Sequence, residues 1–473
     1  MNIQNPSAKS LGWGKSFLWL ALAVACFHAA YASNKHPAAG LLIFGYAYFL
    51  VRLTDQPNVR RAFYFGLAAG FLCYAPQLFF FWLIFGPAAI ALWLVLAFWI
   101  GLFAAMVCGS IRRWGKAKAL WMIPIVWTGL EYFRSELYYL KFSWLNVGYA
   151  LSNFRSNPFD MFGMYGVGFL MFAIIAVFIN RHLLKRVLIG WLVILLFLLI
   201  GLAFILQFIA AARYERPFHP LSLAGVQMEF PSPGVLPKVL NKALAKNPEA
   251  QIFALSEYTL DGPVPDSLKN WCREHGRFLV VGGKDPVGAN NYYNTAFVVG
   301  TNGEIVFRQA KSVPIQFFKD GIPAVKQEVW NSPWGKIGIC ICYDLSYTRV
   351  TDRLVEQGAK LLIVPTMDVE DWGRYEHKLH SRVAPVRAAE YGIPIFRLAS
   401  SGISQAVAGG GYVIAQTSFP GSLDILSAQF RLPTRGSLPL DRLLAPVCVG
   451  ITALVLLTLL VLDRQDQRAR TKG

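Results

Sequence analysis

Eight apolar runs constrain this chain more than any other feature of it. They cover residues 17–32, 38–51, 62–82, 83–111, 119–133, 159–179, 187–212 and 443–462. Crossing a ~30 Å hydrocarbon layer takes about 20 mostly apolar residues, and only the runs at 38–51 and 119–133 fall clearly short. Backbone in lipid has no water to bond, so such runs must fold as helices. A composition 55% hydrophobic and 15% charged is too apolar for an ordinary soluble protein. Between the seventh and eighth runs the composition is that of a globular domain. The expected organisation is a polytopic α-helical membrane domain over 1–213 with seven transmembrane helices, about eight spans in all. A folded domain over 214–440 follows, and 441–473 supply the last transmembrane helix and a short tail.

The formal net charge of +18 invites a nucleic-acid partner, but its distribution argues against one. Residues 213–442 hold 25 basic and 21 acidic side chains, so most of the excess lies in the membrane part. There it alternates. Lys9 and Lys15, then Arg52, Arg60 and Arg61, then Arg112, Arg113, Lys116 and Lys118, then Arg181, Lys185 and Arg186, and finally Arg464, Arg468, Arg470 and Lys472 fall on alternate loops and both termini. The opposite loops carry only Lys35, Arg134, Lys141 and Arg155. The positive-inside rule then puts both termini in the cytoplasm and the folded domain, after an odd number of spans, outside it. The segment "SFLWLALAVACFHAAYASNK" has the shape of a signal peptide, but further spans follow it and an uncleaved first helix is expected.

From 217 onward short apolar runs alternate with amphipathic stretches. "LSLAGVQ", "AQIFALSE", "RFLVVGG", "GKIGICICYD", "AKLLIVPTMD" and "GIPIFRLASS" read as strands, and "NTAFVVGTNGEIVFRQAK" as a hairpin turning at Asn-Gly. Helical patterns occupy 237–247, 266–276, 347–358 and 376–391. This alternation indicates a layered α/β domain, which collects its working residues at strand C-terminal ends. Glu257, Lys311 and Cys342 stand at three such ends. A thiol near a lysine cation, with a carboxylate to carry protons, is equipped for nucleophilic acyl transfer. The lysine can also hold the oxyanion of a tetrahedral intermediate. Each residue alone has an ordinary reading as a solvated acid, a surface cation or a core thiol. Cys340 and Cys342 would share a face of a regular strand, so spacing does not choose between them. The seven cysteines suggest no disulfide framework and no zinc pair.

The order Glu257, Lys311, Cys342, set in "LSEYTLDGP", "RQAKSVP" and "GICICYD", resembles the nitrilase superfamily of carbon–nitrogen hydrolases. That resemblance implies an α-β-β-α sandwich and a Glu-Lys-Cys triad, with the cysteine before Tyr343-Asp344 as nucleophile. Seven spans before the domain and one after, with "FSWLNVGYALSN" at 142–153 and "HSRVAPVRAAEYGIPIFRLASSG" at 380–402, are similar to the apolipoprotein N-acyltransferase family. The likeness extends over nearly the whole chain. It implies transfer of a fatty acyl chain from a phospholipid donor to a diacylglyceryl lipoprotein acceptor through a cysteine thioester. It implies no cofactor and no metal, and places the enzyme in the bacterial inner membrane with its catalytic domain on the periplasmic face. A monomer is expected. Two acids depart from the family pattern: aligning "FKDGIP" puts Asp320 where the family carries a second active-site glutamate, and Asp344 replaces the glutamate after Cys-Tyr.

Two rival functions remain at this point, a membrane-held amidase with water as acceptor and a scaffold carrying a degenerate domain. His377 and His380 are spaced to share a metal, but no third ligand is evident. "GTNG" and "GGG" lack a phosphate-loop context and read as turns. Glu131 and Asp160 are expected at the membrane interface.

Overall fold

The computed structural model describes residues 11–32, 37–154, 158–181 and 220–472. The chain folds as two compact units, one from residues 1–154, 162–214 and 440–473, the other chiefly from 215–439 with 155–161.

The first unit is helical. Its helices are α1 (Trp13–Ala32), α2 (Leu42–Leu53), α3 (Val59–Gln77), the short α4 (Phe80–Phe85), α5 (Ala88–Trp114), α6 (Lys116–Tyr132), α7 (Phe159–Asn180) and a C-terminal helix, Asp441–Lys472. Among the described residues four are long and apolar enough to cross a membrane: α1, α5, α7 and the C-terminal helix. The other expected spans there do not reach that length and hydropathy. The run at 38–51 becomes the 12-residue α2, and α6 has 17 residues, about 25 Å at 1.5 Å per residue. The run at 62–82 is split, because α3 opens on Arg60 and Arg61 and ends at Gln77. The run at 187–212 lies outside the described residues.

Small residues let these helices approach closely, as packing in lipid demands. A Cβ on Gly66 of α3 would come within 2.7 Å of Ala104 of α5, and one on Gly70 within 2.7 Å of Ala97. Glu131, near the end of α6, is buried and accepts a hydrogen bond from the Val147 backbone N–H at 3.0 Å, so it holds the 142–151 segment from inside the unit. Arg134, also buried, donates to the Tyr74 hydroxyl at 2.7 Å and to Asn146. Asp160 is exposed at the start of α7.

The second unit is built on two six-stranded sheets. One follows the order β12-β1-β2-β3-β4-β5, formed by β1 (Leu221–Gln227), β2 (Ile252–Leu255), β3 (Phe278–Val287), β4 (Asn291–Val299), β5 (Ile305–Ala310) and β12 (Asp424–Phe430). The other follows β11-β10-β9-β8-β7-β6, formed by β6 (Val329–Ser332), β7 (Gly335–Ile339), β8 (Leu361–Thr366), β9 (Ile395–Ala399), β10 (Gln405–Val407) and β11 (Val413–Gln416). Strands β1, β2 and β3 run parallel, as do β7, β8 and β9. Alternating apolar residues from both sheets, among them Leu223, Ile252, Val280, Ile337, Ile363 and Phe396, meet in one core. The other face of the first sheet packs Phe253, Leu255 and Leu279 against α8 (Leu236–Lys246) and α9 (Asp266–His275) through Leu240, Leu268 and Trp271. On the second sheet lie α10 (Thr348–Glu356), α11 (Gly373–His380) and α12 (Val383–Tyr391), with α10 against β7 and α12 against β9 and β10. The layering is α-β-β-α.

The helical pattern at 376–391 resolves into α11 and α12, separated at Ser381–Arg382. The hairpin turns as expected, with Gly303 at φ +79° supplying the left-handed residue that the turn needs. Strand β7 ends at Ile339, earlier than its apolar run suggests, and that early end shapes the site.

Candidate active site

Glu257 stands two residues beyond β2, Lys311 directly after β5, and Cys342 at the start of a 3₁₀ turn, Cys342–Ser346, beyond β7. The sheet ends bring all three together. Lys311 Nζ lies 2.9 Å from Glu257 Oε1 and 2.7 Å from Asp320 Oδ2, and all three side chains are essentially closed to solvent. Cys342 is 2% exposed.

Cys342 takes φ +51°, a left-handed conformation that costs a non-glycine residue about 1–3 kcal/mol. Its consequence is a change of face. Ile337, Ile339 and Ile341 point into the core between the sheets, and alternation would send residue 342 the other way with Gly338 and Cys340. Instead Cys342 packs in that core cluster, and Cys340 stays outside it. The two thiols, indistinguishable by spacing, are separated by one dihedral angle.

Asp320 joins the Glu257–Lys311 pair, as the "FKDGIP" alignment anticipates. It accepts from the Tyr258 hydroxyl at 2.7 Å, the Asn294 amide at 2.8 Å and the Ile315 backbone N–H at 2.7 Å. Asp344 does not touch Lys311. Its carboxylate gathers the backbone N–H groups of Ser312, Val313 and Ile341, tying the segment after Lys311 to the turn that carries Cys342. Tyr343 is partly buried with its ring edge-on to Tyr347, centroids 4.9 Å apart.

Three further residues had no signal in the sequence reading, or only adjacency to one. Asn294, mid-strand in β4, donates its amide to both Glu257 (2.6 Å) and Asp320. Tyr258 follows Glu257 and adopts φ +53° to reach Asp320. Met367, after β8, donates its backbone N–H to Glu257 Oε2 at 2.8 Å, while its carbonyl accepts the Cys342 thiol at 3.7 Å.

Burial raises the Glu257 carboxyl, and Lys311 opposes it. Burial also works against charge on Lys311, yet Glu257 and Asp320 outweigh it and hold the ammonium above its ordinary range. Asp320 is pushed up by burial and pulled down further by Lys311, so it stays ionised. The Cys342 thiol is driven well up by burial and the Glu257 carboxylate, more than Lys311 lowers it. The lowering by Lys311 that the sequence suggests is outweighed, so the thiol favours its protonated form and would need a base to ionise.

His380 and Asp368 lie close to Cys342, the three ligand atoms within 4.8 Å of one another. Asp368 is already engaged, by His380 at 2.7 Å and by the buried Arg397 guanidinium at 2.5 Å, so its charge is paired within the protein. His377 turns its Nε2 to the Val369 carbonyl at 3.1 Å, and both His377 and His380 lie 3.6 Å from carboxylate oxygens of the buried Glu376. Beside the Glu257–Lys311–Asp320 cluster opens a cavity of about 440 Å³, lined by apolar residues such as Phe230, Pro231 and Met367 together with Tyr258, Tyr292 and the charged Asp261, Lys284 and Lys319.

Comparison with known proteins gives two domain matches. Residues 25–177 match the apolipoprotein N-acyltransferase N-terminal domain, and residues 220–439 match the carbon–nitrogen hydrolase domain. Among curated relatives, the apolipoprotein N-acyltransferase of Geobacter metallireducens is 23% identical over 426 residues, 78% of this chain and 81% of the relative. That of Pasteurella multocida is 24% identical over 394 residues, 70% of this chain and 74% of the relative. Among solved structures, a carbon–nitrogen hydrolase from Helicobacter pylori covers 45% of this chain and 90% of its own, at 17% identity and TM-score 0.40.

Proposed function

The chain belongs to the apolipoprotein N-acyltransferase family, the membrane branch of the carbon–nitrogen hydrolases, and from that premise we propose how it moves a fatty acyl chain from a phospholipid to the N-terminal amine of a diacylglyceryl-cysteine lipoprotein. The observation that carries the reading is a buried thiol, Cys342, in the same site as the Glu257–Lys311 pair, in a chain that also has the family's membrane domain.

Glu257 takes the thiol proton, and the Cys342 sulfur attacks the ester carbonyl of the phospholipid. Lys311, kept cationic by Glu257 and Asp320, stabilises the oxyanion. The carbon–oxygen bond breaks, Glu257 returns its proton to the departing alkoxide, and lysophospholipid leaves a thioester behind. The neutral N-terminal amine of the lipoprotein then attacks that thioester. Glu257 accepts the amine proton, the carbon–sulfur bond breaks, and the thiolate regains the proton. Asp320 keeps Lys311 charged throughout, while Asp344 fixes the distance between the Lys311 and Cys342 segments. No other residue has to change protonation.

Both substrates are lipid-anchored, which accounts for a membrane-held enzyme. We read the membrane part as about eight spans, 1–213 with seven and 441–473 with the last. Both termini face the cytoplasm and 214–440 act on the outer, periplasmic face of the inner membrane, a reading supported by the alternation of basic loops. We read the protein as a monomer.

The test uses purified full-length protein and a phospholipid labelled in its acyl chain. Label should appear on Cys342 with release of lysophospholipid, and should pass to the N-terminus of an added diacylglyceryl-cysteine peptide, read by mass spectrometry. Release as free fatty acid, with no acylated peptide, would make the protein a hydrolase instead.

A further inference from the structure

A second buried ionic cluster lies behind the nucleophile, and the reaction above does not use it. Asp368, directly after Met367, is its centre. One carboxylate oxygen meets His380 Nδ1 at 2.7 Å and the other the Arg397 guanidinium at 2.5 Å. Arg397 in turn donates to the Ile403 carbonyl at 2.6 Å. The backbone of Asp368 is held as firmly. Its N–H donates to Ser400 Oγ at 3.1 Å, and its carbonyl accepts from Ser400 Oγ at 3.0 Å and the Ser401 N–H at 3.1 Å. Gly402 lies so close that a Cβ there would come within 2.3 Å of Asp368 Oδ2.

So many contacts on one buried residue immobilise what is bonded to it, and what is bonded to it is Met367. The Met367 backbone touches both reacting groups: its N–H donates to Glu257 and its C=O receives the Cys342 thiol. We propose that Asp368, clamped by Arg397 and His380, is a positioning residue for acyl transfer, aligning general base and nucleophile through the backbone N–H and C=O of Met367. The inference rests on the reading of Cys342 as the nucleophile and Glu257 as its base. A misplaced reacting group loses rate without losing substrate affinity. Asp368 also places a negative charge near the thiol, together with Glu257 and opposed by Lys311. Removing that charge therefore eases ionisation of the thiol while loosening its alignment, and the two effects have opposite signs.

The experiment compares wild type with Asp368→Asn in the full-length protein, reading lysophospholipid release and the pH dependence of Cys342 alkylation by iodoacetamide. For Asp368→Asn, lysophospholipid release should slow by at least about tenfold with phospholipid KM within about twofold of wild type. Alkylation should instead shift to lower pH, by about half a unit or more. If Asp368→Asn does not fold, Gly402→Ala replaces it. That change keeps every charge and displaces Asp368, so it should slow release to a similar extent and leave the alkylation midpoint where it was. Wild-type release from either folded variant overturns the proposal, as does loss of release and alkylation in equal proportion, the mark of a merely structural residue. If wild type itself releases no lysophospholipid, the proposed function fails. The alkylation curve still decides here, since an unmoved midpoint in Asp368→Asn sinks the inference separately.

Discussion

At the scale of single residues the site turns on φ at position 342. Cys342→Ser should abolish thioester formation, since a serine hydroxyl there lacks the sulfur's nucleophilicity. Cys340→Ala, outside the core cluster that holds Cys342, should keep it and cost roughly 1 kcal/mol of stability for so small a truncation. Label from an acyl-labelled phospholipid found on Cys340 would reverse the assignment. Asp320→Asn removes one of the two carboxylates that keep Lys311 charged, and turnover should fall by about 10²-fold or more with expression unchanged. Wild-type turnover would take the second-carboxylate role away from Asp320. His380 supplies a pH test. Burial holds its imidazole down at about 4, although Asp368 works to raise it, whereas in the unfolded chain it titrates near 6.5. Between those values the unfolded chain binds a proton that the folded one refuses. This share of stability, up to ~3 kcal/mol, is thus complete above about pH 6.5 and lost as pH falls toward 4. Asp344, raised by burial to about 6, has the opposite slope in part of that window. The comparison is therefore His380→Gln against wild type, by chemical unfolding from pH 7 to 4, and the variant should lose stability less steeply. Most of these residues were legible as candidates because a family's chemistry recurs in fixed order along the chain. Asn294 and Met367 were not, since an amide in mid-strand and a backbone N–H look like any other until the fold aims them.

At the scale of elements, strand ends carry the chemistry and one glycine protects their spacing. Gly282 in β3 pairs with the segment that presents Glu257: Gly282 N–H donates to Ser256 O at 3.2 Å, and Gly282 O accepts from Leu260 N at 3.0 Å. A Cβ on Gly282 would sit 2.6 Å from Glu257 Cα and 2.7 Å from Ser256 O, both backbone atoms that cannot swing aside. Gly282→Ala should cost about 1–3 kcal/mol through overpacking and slow acylation of Cys342 in the protein that remains folded, measured by thermal unfolding and lysophospholipid release together. Unchanged values for both would mean that the Glu257 segment has slack. Periodicity located β1, β2, β3, β7, β8 and β9 because half-buried and fully buried strands are marked in their own residues. It left out β6, β10, β11 and β12, which are short or at the sheet margins and whose partners lie far along the chain. It also ran β7 too far, since "ICICY" stays apolar after the backbone has left the sheet.

At the scale of the whole molecule, charge placement predicts which side of the membrane each unit occupies. A reporter fused after Gly473 should behave as cytoplasmic. A single cysteine introduced as Val325→Cys, at a position 86% exposed, should react with a membrane-impermeant thiol reagent on intact spheroplasts. A reporter exported at the C-terminus, or a Val325→Cys that reacts only after lysis, would overturn the topology. The sequence by itself determined where the chain is apolar enough for lipid, where strands and helices alternate, and in what order acid, lysine and thiol occur. Those are local or periodic properties, carried by neighbouring residues. Only the tertiary structure decided that four helices meet the full length and hydropathy of a span among the described residues, because caps, prolines and close glycine packing set where an apolar run stops being one helix. It alone turned Cys342 into the core, set Asp320 on Lys311 and closed Arg397 over Asp368. These choices depend on contacts such as that between Met367 and Glu257, 110 residues apart. Burial then sets their energies: a charge excluded from water must find its partner wherever the fold puts one.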